Sequence, residues 1–113
     1  MRSRFPAKSK KILPLLSLFK SRVAGIYGNK LRRVILYGSY ARGSAGSHSD
    51  IDLMIVLSEM NSAFEEIEKL NEIKFRIALE NDVFISTNPV TEEAFEKAEL
   101  PIFKNVQKEG VVI

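Results

Sequence analysis

Asp50 and Asp52 stand one residue apart at the head of the apolar run "LMIVL", directly after the glycine- and hydroxyl-rich stretch "GSYARGSAGSHS". Successive side chains of a strand point to opposite faces, so Asp50 and Asp52 project together while Ile51 turns into the core. Paired carboxylates repel, and one of them raises its pKa unless a cation relieves the charge. Oxygen donors without histidine or cysteine suit a hard divalent ion such as Mg²⁺, which keeps waters and shares substrate phosphates. A solitary D-x-D is equally what a solvated strand start looks like. Gly38 and Ser39, which follow directly on "RRVILY", favour the chemical alternative. Glycine lets backbone amides approach a ligand, and a turn of exposed N–H groups beside a serine hydroxyl can cradle phosphate. Tyr40 to Arg42 then begin a short helical turn whose start favours an anion, and Arg42 adds positive charge.

Other phosphate and nucleophile templates fail. Gly38 and Gly43 have the P-loop spacing, but Ser44 stands where its lysine belongs, and no G-x-G-x-x-G occurs. G-x-S-x-G is absent, and His48, the single histidine, lies in a polar loop and reads as a surface residue.

The flanking segments supply the positioning elements. Leu15, Leu16, Phe19, Val23, Ile26 and Tyr27 fall at helical spacing, with Pro14 in the first turn and Gly28 as the stop. Leu31 to Tyr37 and Asp50 to Leu57 read as strands, the second covered on both faces. Ser62 with Glu65 is a capping pattern opening the longest helix, whose apolar face is Phe64, Ile67, Leu70, Ile73 and Ile77. Asp82 to Ser86 reads as a third short strand. Thr91 caps a helix over 91–98, Pro101 opens another that Gly110 ends, and "VVI" closes the chain. Leu100, Ile102, Phe103 and Val106 are assigned to the core in preference to an interface. The expected architecture is α/β (α+β): a small mixed sheet of three to four strands packed with helices.

At 113 residues one domain is expected, with a basic arm over 1–12 and the folded unit over 13–113. Residues 1–49 carry eleven Lys/Arg and no acid, whereas 50–113 carry six Lys/Arg and fourteen Asp/Glu. The basic half points to an anionic ligand or partner. The arm offers accessory contact with nucleic acid, although it lacks interleaved aromatics and reads first as a solvated, partly disordered segment. The absence of cysteine excludes a disulfide framework and fits a reducing compartment. With no membrane span and no signal peptide, a cytoplasmic protein is expected.

Gly38-Ser39, ten residues, then Asp50-Ile51-Asp52 resembles the signature of the DNA polymerase β-like nucleotidyltransferases. The strands "VILYGSYARGS" and "SDIDLMIVL", the lead-in helix and the tail "PIFKNVQKEGVVI" resemble the minimal members that pair with HEPN-domain toxins. The resemblance implies two Mg²⁺ ions on three carboxylates, which orient the triphosphate of ATP while a hydroxyl attacks its α-phosphorus. It assigns Asp50 and Asp52 as catalytic metal ligands, Gly38 and Ser39 to the β- and γ-phosphates, and Arg42 to the phosphates or a partner contact. The third carboxylate belongs on the neighbouring strand, where Asp82 is the candidate catalytic ligand; Asp82 can also be a turn residue after Asn81, with Ser86 at the acid's position. The implied function is AMP transfer to a tyrosine of a HEPN toxin, in an assembly with that partner. The alternative is an antitoxin that binds and occludes the toxin without catalysis.

Overall fold

Every side chain of the strand Ile51–Leu57 is buried except that of Asp52. A strand apolar on both faces needs cover on both, and the surrounding elements provide it. The computed structural model describes residues 5–113. A 3-10 turn (Ala7–Ile12) leads into α1 (Leu13–Tyr27), a second 3-10 turn (Gly28–Lys30), β1 (Leu31–Tyr37), α2 (Ser39–Arg42), β2 (Ile51–Leu57) and α3 (Ala63–Asn81). β3 (Ile85–Thr91), α4 (Glu92–Glu96), α5 (Pro101–Glu109) and β4 (Val111–Val112) complete the chain. The sheet order is β3-β2-β1-β4, with β1 antiparallel to β2 and β4, and β2 parallel to β3 through the α3 crossover. The expected mixed α/β sheet forms with four strands, the last built from the closing "VV".

Register divides the apolar residues between two cores. Val34, Leu36, Ile51, Leu53, Ile55 and Leu57 face α1 and α3. Ile35, Met54, Val56 and Val90 face Phe95, Phe103 and Val106 of α4 and α5. Phe95 and Phe103 meet edge to face, with ring centroids 6.0 Å apart. Phe103 and Val106 thus belong to the core and Ile102 packs against it, whereas Leu100 is 55% exposed.

The local signals act as read. Ser62 Oγ accepts from the Glu65 N–H at 3.1 Å and Thr91 Oγ1 from the Ala94 N–H at 3.2 Å. Pro14 sits in the first turn of α1, and Gly28 ends that helix at φ 53°. Three expectations need correction. The strand placed at 82–86 begins only at Ile85 and runs to Thr91, because α3 continues to Asn81 and Asp82 takes the left-handed cap at φ 52°, ψ 48°. Its second half, "NPVT", carries turn chemistry, but an edge strand tolerates Pro89, whose missing N–H needs no partner there. On α3, Phe64 is 70% exposed and Ile67 half-buried, whereas Glu66 is buried. The arm is ordered from Ala7 onward: Ile12 is buried and Ser9 Oγ donates to the Tyr40 carbonyl at 2.6 Å. Met1 to Arg4 of the arm lie outside the described residues.

Glu66 is tolerated in the α1–α3 interface because the Tyr27 hydroxyl donates to its Oε1 at 2.9 Å and Lys69 Nζ lies 3.4 Å away. Burial, with the Glu66 hydrogen bond and charge behind it, pushes the Tyr27 phenol well above its ordinary range. A folded-state value above the unfolded one gives stability that is full below about pH 10 and is lost as pH rises past it. Tyr27→Phe is expected to cost about 1–2 kcal/mol at pH 7, by leaving Glu66 short of a donor. It is also expected to flatten the decline in stability above about pH 10. Urea denaturation midpoints across pH check both; an unchanged midpoint at pH 7 would show that the bond carries nothing.

Candidate active site

β1 delivers the chain to Gly38 at φ 75°, ψ −156°, a conformation L side chains rarely adopt. A Cβ there would also run into Oδ2 of Asp52. The position is therefore glycine for two separate reasons, one conformational and one steric. α2 starts on the next residue, with the Gly38 carbonyl accepting from the N–H groups of Ala41 at 3.1 Å and Arg42 at 3.2 Å. Gly43 ends the helix at φ 73°, and the Ser44 N–H returns to the Ser39 carbonyl at 2.9 Å. The loop beyond is tied down by Ser49, whose hydroxyl accepts from the Gly46 N–H at 2.8 Å. His48 is exposed, as its surroundings in the sequence imply.

Asp50 is exposed and Asp52 half-buried, and strand alternation directs both to the same side of β2. The Ile51 N–H between them donates to the Phe84 carbonyl at 2.9 Å, so the acids are anchored to the entry of β3. Across the sheet Asp52 is flanked by Tyr37 of β1 and Ser86 of β3. This is the face that α4 and α5 cover at its other end through Ile35, Met54, Val56 and Val90.

Burial pushes the Asp52 carboxyl above its usual range; the neighbouring Asp50 charge adds to this and Arg42 opposes it. Burial likewise raises the Tyr37 phenol, helped by Asp52 and opposed by the Asn88 side chain. Both shifts express one fact: negative charge is crowded here in a half-dry place. A divalent cation held by Asp50 and Asp52 would relieve that crowding, and an all-oxygen donor pair fits the chemistry of Mg²⁺ or Mn²⁺.

The structure brings Gly38, Ser39, Asp50 and Asp52 together at one end of the β1–β2 pair. Arg42 is near enough to influence Asp52, but its guanidinium pairs with Glu109 of α5 at 3.4 Å. Asp82 does not join the acids in a strand. It is exposed at the cap of α3 and borders a groove with Lys74, Phe75, Leu79 and Phe84. β3 itself carries no acid, and among the described residues no three Asp, Glu, His or Cys side chains gather to hold a metal ion. Sequence reasoning missed Tyr37, Asn88 and Glu109. Tyr37 was within reach, since it ends the strand just before Gly38; the other two depend on contacts distant in the chain and left no local sign.

The sequence matches that of the nucleotidyltransferase domain family over residues 16–112. A relative from Methanocaldococcus jannaschii that carries the name protein adenylyltransferase MJ0141 is 40% identical over 75 residues, covering 66% of this chain and 75% of the relative. Among solved structures, a Sulfolobus solfataricus protein described as a nucleotidyltransferase superposes with a TM-score of 0.64 at 20% identity, over 93% of this chain and 81% of its own. A toxin–antitoxin structure with AMP-PNP gives 0.60 at 18% identity, over 84% and 69%. The Gly38-Ser39 turn and the Asp50–Asp52 pair lie inside the matched span, and the fold is shared with solved nucleotidyltransferases: this chain belongs to the nucleotidyltransferase domain family and is a nucleotidyltransferase.

Proposed function

We propose that this chain transfers AMP from ATP to a hydroxyl of a partner protein, a tyrosine of a HEPN-domain toxin, and so acts as its antitoxin. The observation that carries the reading is the closure of Gly38 onto the Asp52 carboxylate; it supports reading the turn as the phosphate cradle and the acid pair as the metal ligands of one site. The name protein adenylyltransferase on the Methanocaldococcus jannaschii relative supports transfer to protein, and the toxin–antitoxin structure supports a toxin as acceptor.

Asp50 and Asp52 are the residues that would hold Mg²⁺, whose charge neutralises the triphosphate and the departing pyrophosphate. The chain's own groups do the positioning. The backbone amides of Gly38 and Ser39, with the Ser39 hydroxyl, take the β- and γ-phosphates. Arg42 exchanges Glu109 for a phosphate oxygen; the pair is exposed on both sides and of a kind that contributes little, so the exchange costs little. The acceptor oxygen then attacks the α-phosphorus, the bond to the β-phosphate oxygen breaks, and pyrophosphate leaves while the acceptor proton passes to solvent.

A second reading has one observation in its favour. β3 lacks an acid, which suits a protein that neutralises a toxin by occupying it. Asp50→Asn and Asp52→Asn separate the two. With radiolabelled ATP, Mg²⁺ and the purified partner, the wild-type chain is expected to label the partner and each variant to lose about 100-fold or more of the rate. Variants that still neutralise the toxin without labelling it would establish occlusion. Gly38→Ala is expected to cost about 1–3 kcal/mol of stability from backbone strain. Its loss of labelling should exceed that of Ser39→Ala, because a Cβ displaces Asp52 itself.

A further inference from the structure

β2 and β3 run side by side with Ile51 beside Ile85, Asp52 beside Ser86 and Met54 beside Asn88. Alternation therefore gives the Asp52 face to Ser86 and Asn88, and continues it one step back to Phe84. None of the three is acidic; of them Ser86 is the one paired directly beside Asp52, whereas Asn88 is paired with Met54 further along the strand. The residue facing Asp52 from the other neighbouring strand is Tyr37, also without a carboxyl group. Among the described residues no third Asp, Glu, His or Cys side chain gathers with the pair to hold a metal ion, and two acids of the flanking elements are otherwise placed. Asp82 is turned into the cap of α3 and Glu109 is paired with Arg42. Residues 1–49, the described part and the rest alike, contain no acid at all. The carboxylate charge of the site is thus that of Asp50 and Asp52, which balances one doubly charged ion and leaves a second without a protein counter-charge.

We propose that each chain holds a single divalent cation, on Asp50 and Asp52, and that Ser86 occupies the seat from which a ligand for a second cation would have to come. Ser86 is exposed and lies directly beside Asp52, so an acid placed there would face the same space as the existing pair without disturbing the core. The inference rests on the adenylyl-transfer reading for its nucleotide, but the ion count can be measured without it.

The experiment is a Mn²⁺ titration of the full chain, followed by the electron paramagnetic resonance signal of free Mn²⁺. It is run with the metal alone and with an ATP analogue bearing a methylene between the α- and β-phosphates. With the analogue, wild type is expected to bind one nucleotide and one Mn²⁺ per chain. Ser86→Asp is expected to bind a second Mn²⁺, with broadening from coupling between two nearby ions. The Asp50→Asn, Asp52→Asn double variant is expected to bind none from the metal alone. Two Mn²⁺ per wild-type chain with one nucleotide would overturn the inference and leave adenylyl transfer standing. A folded Ser86→Asp chain, judged by circular dichroism, that stays at one ion would overturn the assignment of Ser86. A wild-type chain that binds no analogue would sink the adenylyl-transfer reading, and Mn²⁺ alone would still decide the ion count: one per wild-type chain supports the inference and two refute it.

Discussion

A carboxyl group held half out of water beside a second one is an expensive arrangement, and much of this small molecule is organised around keeping Asp52 in that state. The acid rides on the most deeply buried strand of the sheet, so its backbone cannot drift. β1 and β3 pair with β2 on both sides, and the Gly38 backbone closes over the carboxyl where any side chain would push it away. The result is a concentration of negative charge at the head of β2, with the Asp50 charge acting on the half-buried Asp52. Where burial is this tight, a position is kept by exclusion as much as by attraction: the glycine matters for the atom it does not have.

The same sheet serves two masters. One face is sealed along its length by α1 and α3, which makes it the structural side. The other is covered by α4 and α5 only at one end, where Phe95, Phe103 and Val106 pack. The uncovered end of that face is where Tyr37, Asp52 and Ser86 lie abreast. A packed apolar end and an open end carrying charge are thus separated along the strands, within a single layer.

What could be read beforehand was whatever the chain encodes locally. The Gly38-Ser39 turn, the alternation that pairs Asp50 with Asp52, and the caps at Ser62 and Thr91 each depend on a few neighbouring residues, and each is found where its neighbours put it. The misplaced elements depend on distant partners. β3 begins three residues late because α3 overruns into a left-handed Asp82, and its Asn88-Pro89 reads as a turn until β2 is beside it. Glu66 is buried, against its type, because Tyr27, 39 residues away, donates a hydrogen bond to it and Lys69 lies beside it. The Arg42–Glu109 pair joins the site to the last helix in the same unforeseeable way.

Pro89 of β3 also bears on how copies of this chain can meet. β3 is one border of the sheet, and the other is β4, only two residues long. A proline in the outer strand interrupts the row of donors that an incoming strand would need, and a two-residue border offers little to extend. The β3 margin therefore resists pairing with the strand of another copy. Association with other proteins is directed to side-chain surfaces, the helices and the open end of the site.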